Sequence, residues 1–85
     1  TGLAHRYRFK VFQTLKKHGG FMKLIELIKE CSRDPEYYRH FATAKGHIQK
    51  MAMAGIVDLR KEGGEYVVEL KKDVKIFVRD FEPEG

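Results

Sequence analysis

Apolar side chains recur along this chain at two periods, and the change of period marks out its elements. From about Leu3 to His18, Tyr7, Val11 and Leu15 return every fourth residue with Phe12 beside them, the stripe of a helix. Tyr7, Phe9 and Val11 also alternate, as a strand would, but Phe12 and Leu15 favour the helix. Lys16, Lys17 and His18 place positive charge near its C-terminal end, and Gly19-Gly20 supplies the residue that stops it. A second helix is predicted over Phe21 to Cys31, where Leu24, Ile25, Leu27, Ile28 and Cys31 form a broad stripe with Lys23, Glu26, Lys29 and Glu30 outside it.

Asp34 and Pro35 are good N-cap and first-turn residues, so the third helix is predicted from Pro35 to Ala54. Tyr37, Phe41, Ala44, Ile48, Met51 and Gly55 follow at steps of four and three and draw its inward face. Gly46 lies inside it, and a break near Thr43, with Thr43 as a second N-cap, is the alternative. Ile56-Val57-Asp58-Leu59 then reads as a strand, Arg60 to Gly64 as a polar turn, and Tyr66 to Leu70 as the returning strand of a β-hairpin. In the last segment Val74, Phe77, Val78 and Phe81 keep helical spacing from Asp73 onward, while Val74, Ile76 and Val78 alternate as a third strand would; helix is favoured. The expected class is α+β: mainly helical, one domain over residues 1–85, with a core from about 5 to 70 and a C-terminal segment, 71–85.

At 85 residues the chain has room for one core, and at this size self-association would add stability. A hydrophobic share of 42 % argues against disorder. No apolar run reaches membrane-span length, no secretory signal is visible, and the lone Cys31 suits a reducing cytoplasm. The net charge of +5 is uneven: residues 1–18 hold Arg6, Arg8, Lys10, Lys16 and Lys17 with no acid, while Glu65, Glu69, Glu82 and Glu84 lie towards the other end. That distribution fits a polyanion touching one side. His5, His18, His40 and His47 are scattered, and no Cys/His spacing matches zinc. Cys31 sits on an apolar stripe as a buried, inert thiol, and no nucleophile–base signature or phosphate-binding glycine loop is present. The expectation is a non-enzyme with no catalytic residue, metal or cofactor.

The order helix, glycine turn, short helix, turn, helix, hairpin matters most. Only Ser32 to Asp34 joins the second and third helices, the kind of connection that sets a later helix across an earlier one with its outer face free. In Ile48-Gln49-Lys50-Met51-Ala52-Met53-Ala54-Gly55-Ile56-Val57-Asp58-Leu59, two apolar residues three apart precede Ala-Gly and two more apolar residues. This stretch resembles the winged helix-turn-helix domains of PadR-like and MarR-like regulators. Glu62-Gly63-Gly64-Glu65 looks like a wing tip, and Gly20 to Leu24 looks like the bridge into the second helix. One departure stands out: counting back from Ile48, the family's recognition helix would begin near His40, whereas the helical pattern here reaches Pro35.

The resemblance implies a three-helix core with a wing, and sequence-specific binding of double-stranded DNA through a recognition helix at about 35–54. It places Tyr38, Arg39, Ala42, Thr43, Lys45, Gly46, Gln49 and Lys50 on the outer face, with Arg60 and Lys61 on the wing. Small residues such as Ala42 and Gly46 allow close approach, Gln49 can pair with adenine, and Lys45 or Arg39 with guanine. Tyr38, Thr43 and Lys50 suit phosphates. Arg6, Arg8 and Lys10 could add phosphate contacts. The implied assembly is a homodimer on an inverted repeat, joined through Tyr7 and the apolar set Val74, Phe77, Val78 and Phe81, acting as a cytoplasmic, nucleoid-associated transcriptional regulator. Two alternatives stay open. One is a plasmid-partition protein that binds a centromere-like site and recruits segregation proteins; the other is a winged helix used for protein–protein contact.

Overall fold

The computed structural model describes residues 2–33 and 40–71. Along the chain run α1 (Gly2–Lys17), β1 (Phe21–Lys23), α2 (Leu24–Cys31), α3 (Phe41–Met53), β2 (Val57–Glu62) and β3 (Glu65–Leu70). It is a small α+β domain in which three helices pack on a three-stranded antiparallel sheet of order β1-β3-β2.

The four-residue stripe of α1 is what the core is built on. Tyr7, Val11 and Leu15 are fully buried and Phe12 nearly so. Tyr7, Val11 and Leu15 meet Leu24, Leu27, Ile28 and Cys31 from α2 and Ala44, Ile48 and Met51 from α3. Met22, Ile56, Val57 and Val68 close the core from the sheet side. Removing each large aliphatic side chain from water is worth about 1.5–3 kcal/mol, so this shared apolar volume holds the layers together. One polar link runs through it: the Cys31 thiol lies 3.6 Å from the Thr14 hydroxyl, which donates at 2.7 Å to the Lys10 carbonyl. Burial pushes that thiol up, away from the reactive thiolate, as the sequence implies for an inert cysteine.

Turn chemistry sets the rest. At the end of α3 the Ile56 amide donates to the Met51 carbonyl and the Gly55 amide to the Ala52 carbonyl. This pairing needs a left-handed residue, and Gly55 supplies it with φ 79°. The chain thereby turns directly into β2. Gly63 and Gly64 both have positive φ, so a two-residue turn joins β2 to β3.

Several expectations shift. Phe21–Lys23 does not begin the second helix; it pairs with Val67–Glu69 as a third strand. Ile25 leaves the apolar stripe and is 51 % exposed. The third helix is not continuous from Pro35, because His40 is extended at φ −83°, ψ 123° and caps a helix that starts at Phe41. That start matches the count back from Ile48, and it leaves Thr43 inside α3 rather than at a cap. Phe41 is 44 % exposed, because the buried ridge centres on Ala44, Ile48 and Met51 and turns position 41 off it. Gly55 likewise lies beyond the ridge, on the surface. Of the predicted connection Ser32 to Asp34, Asp34 lies outside the described residues. Arg60 to Glu62 belong to β2, so the hairpin is longer and its turn tighter than the alternation implied. Tyr7 is 0 % exposed in this chain's own core, so it has no surface to offer a dimer partner.

The helix start at Asp34-Pro35, the inward Tyr37, the outer Tyr38 and Arg39, and the C-terminal set Val74, Phe77, Val78 and Phe81 lie outside the described residues. Among the described residues no helix is long and apolar enough to cross a membrane.

Candidate functional site

Because Ala44, Ile48 and Met51 are the buried ridge of α3, the 100° step between residues fixes what points away from it. Ala42, Gly46, Gln49 and Met53 form the outer line, with Lys50 and Thr43 on one side of it and Lys45 on the other. Ala42, Thr43, Gln49 and Lys50 are exposed, and Lys45 and Gly46 are half-buried. Met53 is 87 % exposed. A β-carbon built on Gly46 would meet nothing within 4 Å, so the chain's own packing does not require a glycine there. The first turn of α3 carries no acid and His40 makes no side-chain cap, which leaves the positive end of the helix dipole uncompensated by α3 itself.

The hairpin extends this surface. In the β2–β3 register Val57 faces Leu70, Leu59 faces Val68 and Lys61 faces Tyr66. Strand alternation puts these six residues on one side, the side that packs on the helices. Towards the turn the core ends and the hairpin does not, so Lys61 and Tyr66 project beside α3. The Lys45 ammonium sits 4.4 Å from the Tyr66 ring centroid and that of Lys61 lies 5.7 Å away. One aromatic face therefore holds a lysine from the helix and a lysine from the strand together, each contact worth about 0.5–1 kcal/mol at an exposed site.

The other side of the sheet has the opposite character. Asp58, Arg60 and Glu62 alternate along β2 opposite Glu69, Val67 and Glu65. The Arg60 guanidinium is held by Asp58, Glu62 and, at 3.0 Å, Glu69. Those three carboxylates raise its already high pKa further. Lys23 pairs with Glu65 at 3.2 Å. Four carboxylates against two cations make this outer face acidic.

Of the residues picked from sequence, Ala42, Thr43, Lys45, Gly46, Gln49, Lys50 and Lys61 come together on one surface. Arg60 does not; it points to the acidic side and its charge is already spent. Tyr66 is the residue that sequence reasoning passed over. The available signal was its place at the start of the strand that returns from Gly63-Gly64, cross-strand from Lys61. Chemically, the surface offers ammonium donors to anions, one planar aromatic face, one side-chain amide able to donate and accept, and two small residues that let a helix backbone approach closely. No protein-family model matches this sequence, and no curated protein matches it either.

Proposed function

We propose that this chain binds double-stranded DNA as a winged helix-turn-helix domain, with α3 in the major groove and the β2–β3 hairpin as the wing. One observation carries the reading: the small-residue, amide-bearing line of α3 continues through Lys45 onto Tyr66 and Lys61, while the sheet's carboxylates face the other way. A duplex laid on that surface meets cations and avoids acids. Ala42 and Gly46 let the α3 backbone approach base edges, Gln49 reads adenine through its N6 and N7 positions, and Lys50 and Thr43 take phosphates. Lys61 follows the sugar–phosphate backbone from the wing.

A regulator of transcription and a partition protein on a centromere-like site would use this same surface, and the fragments it selects from genomic DNA distinguish them. A homodimer on an inverted repeat is proposed from the apolar C-terminal set; Phe77→Glu yielding monomers in sedimentation supports it, and unchanged mass rejects that interface. A second reading, contact with a protein partner, is favoured by the exposed Met53, Phe41 and Ile25.

Affinity for a duplex measured across salt separates the two. Each phosphate neutralised costs about 0.9 log unit of affinity per log unit of salt. Steep dependence is expected. Affinity that ignores salt, or no binding, rejects the DNA reading.

A further inference from the structure

Three apolar side chains that the core leaves exposed meet at one place. Leu24 and Ile25 at the start of α2, Phe41 at the start of α3, and Tyr66, with Lys23 and Glu65, line a cavity of about 170 Å³. Of these, Ile25, Phe41 and Tyr66 are exposed to solvent. The cavity opens where β1 stops at Lys23, beside Glu65 and Tyr66, which pair with β2 but not with β1. An exposed apolar hollow of this kind marks a contact site. Its volume suits one aromatic ring, since a void of about 150 Å³ accepts benzene.

The charge beside the cavity narrows the occupant. Lys23 and Glu65 on its rim neutralise each other at 3.2 Å. The Lys45 and Lys61 ammonium groups stand over the Tyr66 ring, and among the described residues neither pairs with a carboxylate. A ring flanked by acids therefore fits better than a ring alone. The chain carries such a segment: Asp80-Phe81-Glu82-Pro83-Glu84 has one aromatic side chain, three carboxylates and no cation. Along β3, Leu70 lies four positions from Tyr66, about 14 Å. The eleven steps from Leu70 to Phe81 span up to about 36 Å, enough for the chain to return to the cavity. A tethered segment meets its site at roughly millimolar effective concentration, which favours the chain's own residues over a free peptide.

We propose that this cavity seats residues 80–84 of the same chain, with Phe81 entering between Ile25, Phe41 and Tyr66, and Asp80, Glu82 and Glu84 lying against Lys45 and Lys61. Val74, Phe77 and Val78 remain for the dimer contact. Lys45, Lys61 and Tyr66 also belong to the duplex surface, so the seated segment and a duplex exclude each other. The competition rests on the duplex-binding reading; the seat does not.

The test uses the whole chain, first without DNA. Nuclear Overhauser contacts between the Phe81 ring and the Ile25 methyl groups are expected, unchanged on dilution. Phe81→Ala, which leaves the charge unaltered, shifts the Ile25 methyl signals, and Phe77→Ala does not. If about nine molecules in ten hold the segment seated, Phe81→Ala raises duplex affinity about tenfold. Ile25→Ser, at an exposed position, raises it likewise, and the double variant gains nothing more. Should Phe81→Ala fail to fold, the contacts in the unaltered chain decide. No contact between Phe81 and Ile25 overturns the seat, whether or not the chain binds DNA. Contacts that fade on dilution place a second copy's segment in the cavity and overturn the same-chain assignment. Contacts without a gain in duplex affinity in Phe81→Ala overturn the competition. Absence of duplex binding in every variant overturns the duplex reading and the competition together, and the Ile25 contacts still decide the seat.

Discussion

Gly46→Ala separates what α3 needs to fold from what it needs to bind. Gly46 sits mid-helix with an ordinary helical backbone, since it is not among the glycines of positive φ. Alanine there is favoured over glycine by about 1 kcal/mol. No packing penalty offsets that gain, because the added β-carbon meets nothing within 4 Å. The variant should therefore melt about 4–8 °C higher, the shift expected per kcal/mol in a domain of this size. Binding should move the other way. If position 46 lies against a base edge, the new methyl enters a close contact, and overfilling such a contact costs about 1–3 kcal/mol. That corresponds to a Kd raised about five-fold to more than a hundred-fold. Thermal unfolding by circular dichroism and duplex titration by fluorescence anisotropy on the same preparation give both numbers. A variant that is more stable yet weaker in binding has lost no structure, so its defect belongs to the interface. If the variant is more stable and binds as well as the parent, α3 does not approach the duplex at this point. If it is less stable, the open space at Gly46 is wrong.

Other expectations follow from the same geometry. Gln49→Ala should relax preference at one base pair by about 1–3 kcal/mol in a panel of substituted duplexes, while Lys50→Ala weakens all sequences alike and lowers the salt slope by about one; equal behaviour of the two would mean the face is misassigned. Lys61→Ala should weaken duplex binding more than Arg60→Ala, because the pleat puts Arg60 among carboxylates; the reverse order in anisotropy titrations contradicts the wing assignment. Tyr66→Ala should weaken binding by releasing Lys45 and Lys61, whereas Tyr66→Phe, which keeps the ring face, should largely preserve it. Folding stability should fall as pH drops below about 6.5, where the unfolded chain accepts a proton that the folded His47 ring resists; above that both forms are neutral and the effect disappears. Urea melts across pH should show a flatter profile in His47→Gln, and an equal slope would clear His47 of that role.

How much of this was legible in the sequence depends on which physical signal each feature left. Tyr7, Val11 and Leu15, and Ala44, Ile48 and Met51, are buried as their spacing demands, because a helix turns period into a face with little else involved. Phe21–Lys23 was not legible as a strand. Three residues carry too little pattern, and pairing with Val67–Glu69 is a long-range event that no local propensity encodes. The start of α3 was misplaced for a related reason: Asp34 and Pro35 are strong local helix signals, yet His40 is extended and the helix proper begins after it.

The wing shows how a strand can separate neighbours that a sequence presents as a pair. Arg60 and Lys61 are adjacent basic residues at the base of a predicted turn, and as sequence they read as one cationic patch. Once Arg60 to Glu62 are drawn into β2, alternation sends them to opposite faces. Arg60 joins Asp58, Glu62 and Glu69, while Lys61 joins Tyr66 and Lys45. Register makes this a sharp distinction: a slip of one residue would exchange the two, placing Arg60 by α3 and Lys61 among the acids. The Gly63-Gly64 turn and the burial of Val57 on the helix side oppose such a slip, because it would turn Val57 out of the core. The polarity of the sheet, acidic outside and basic beside α3, is thus set by the residues that fill the core.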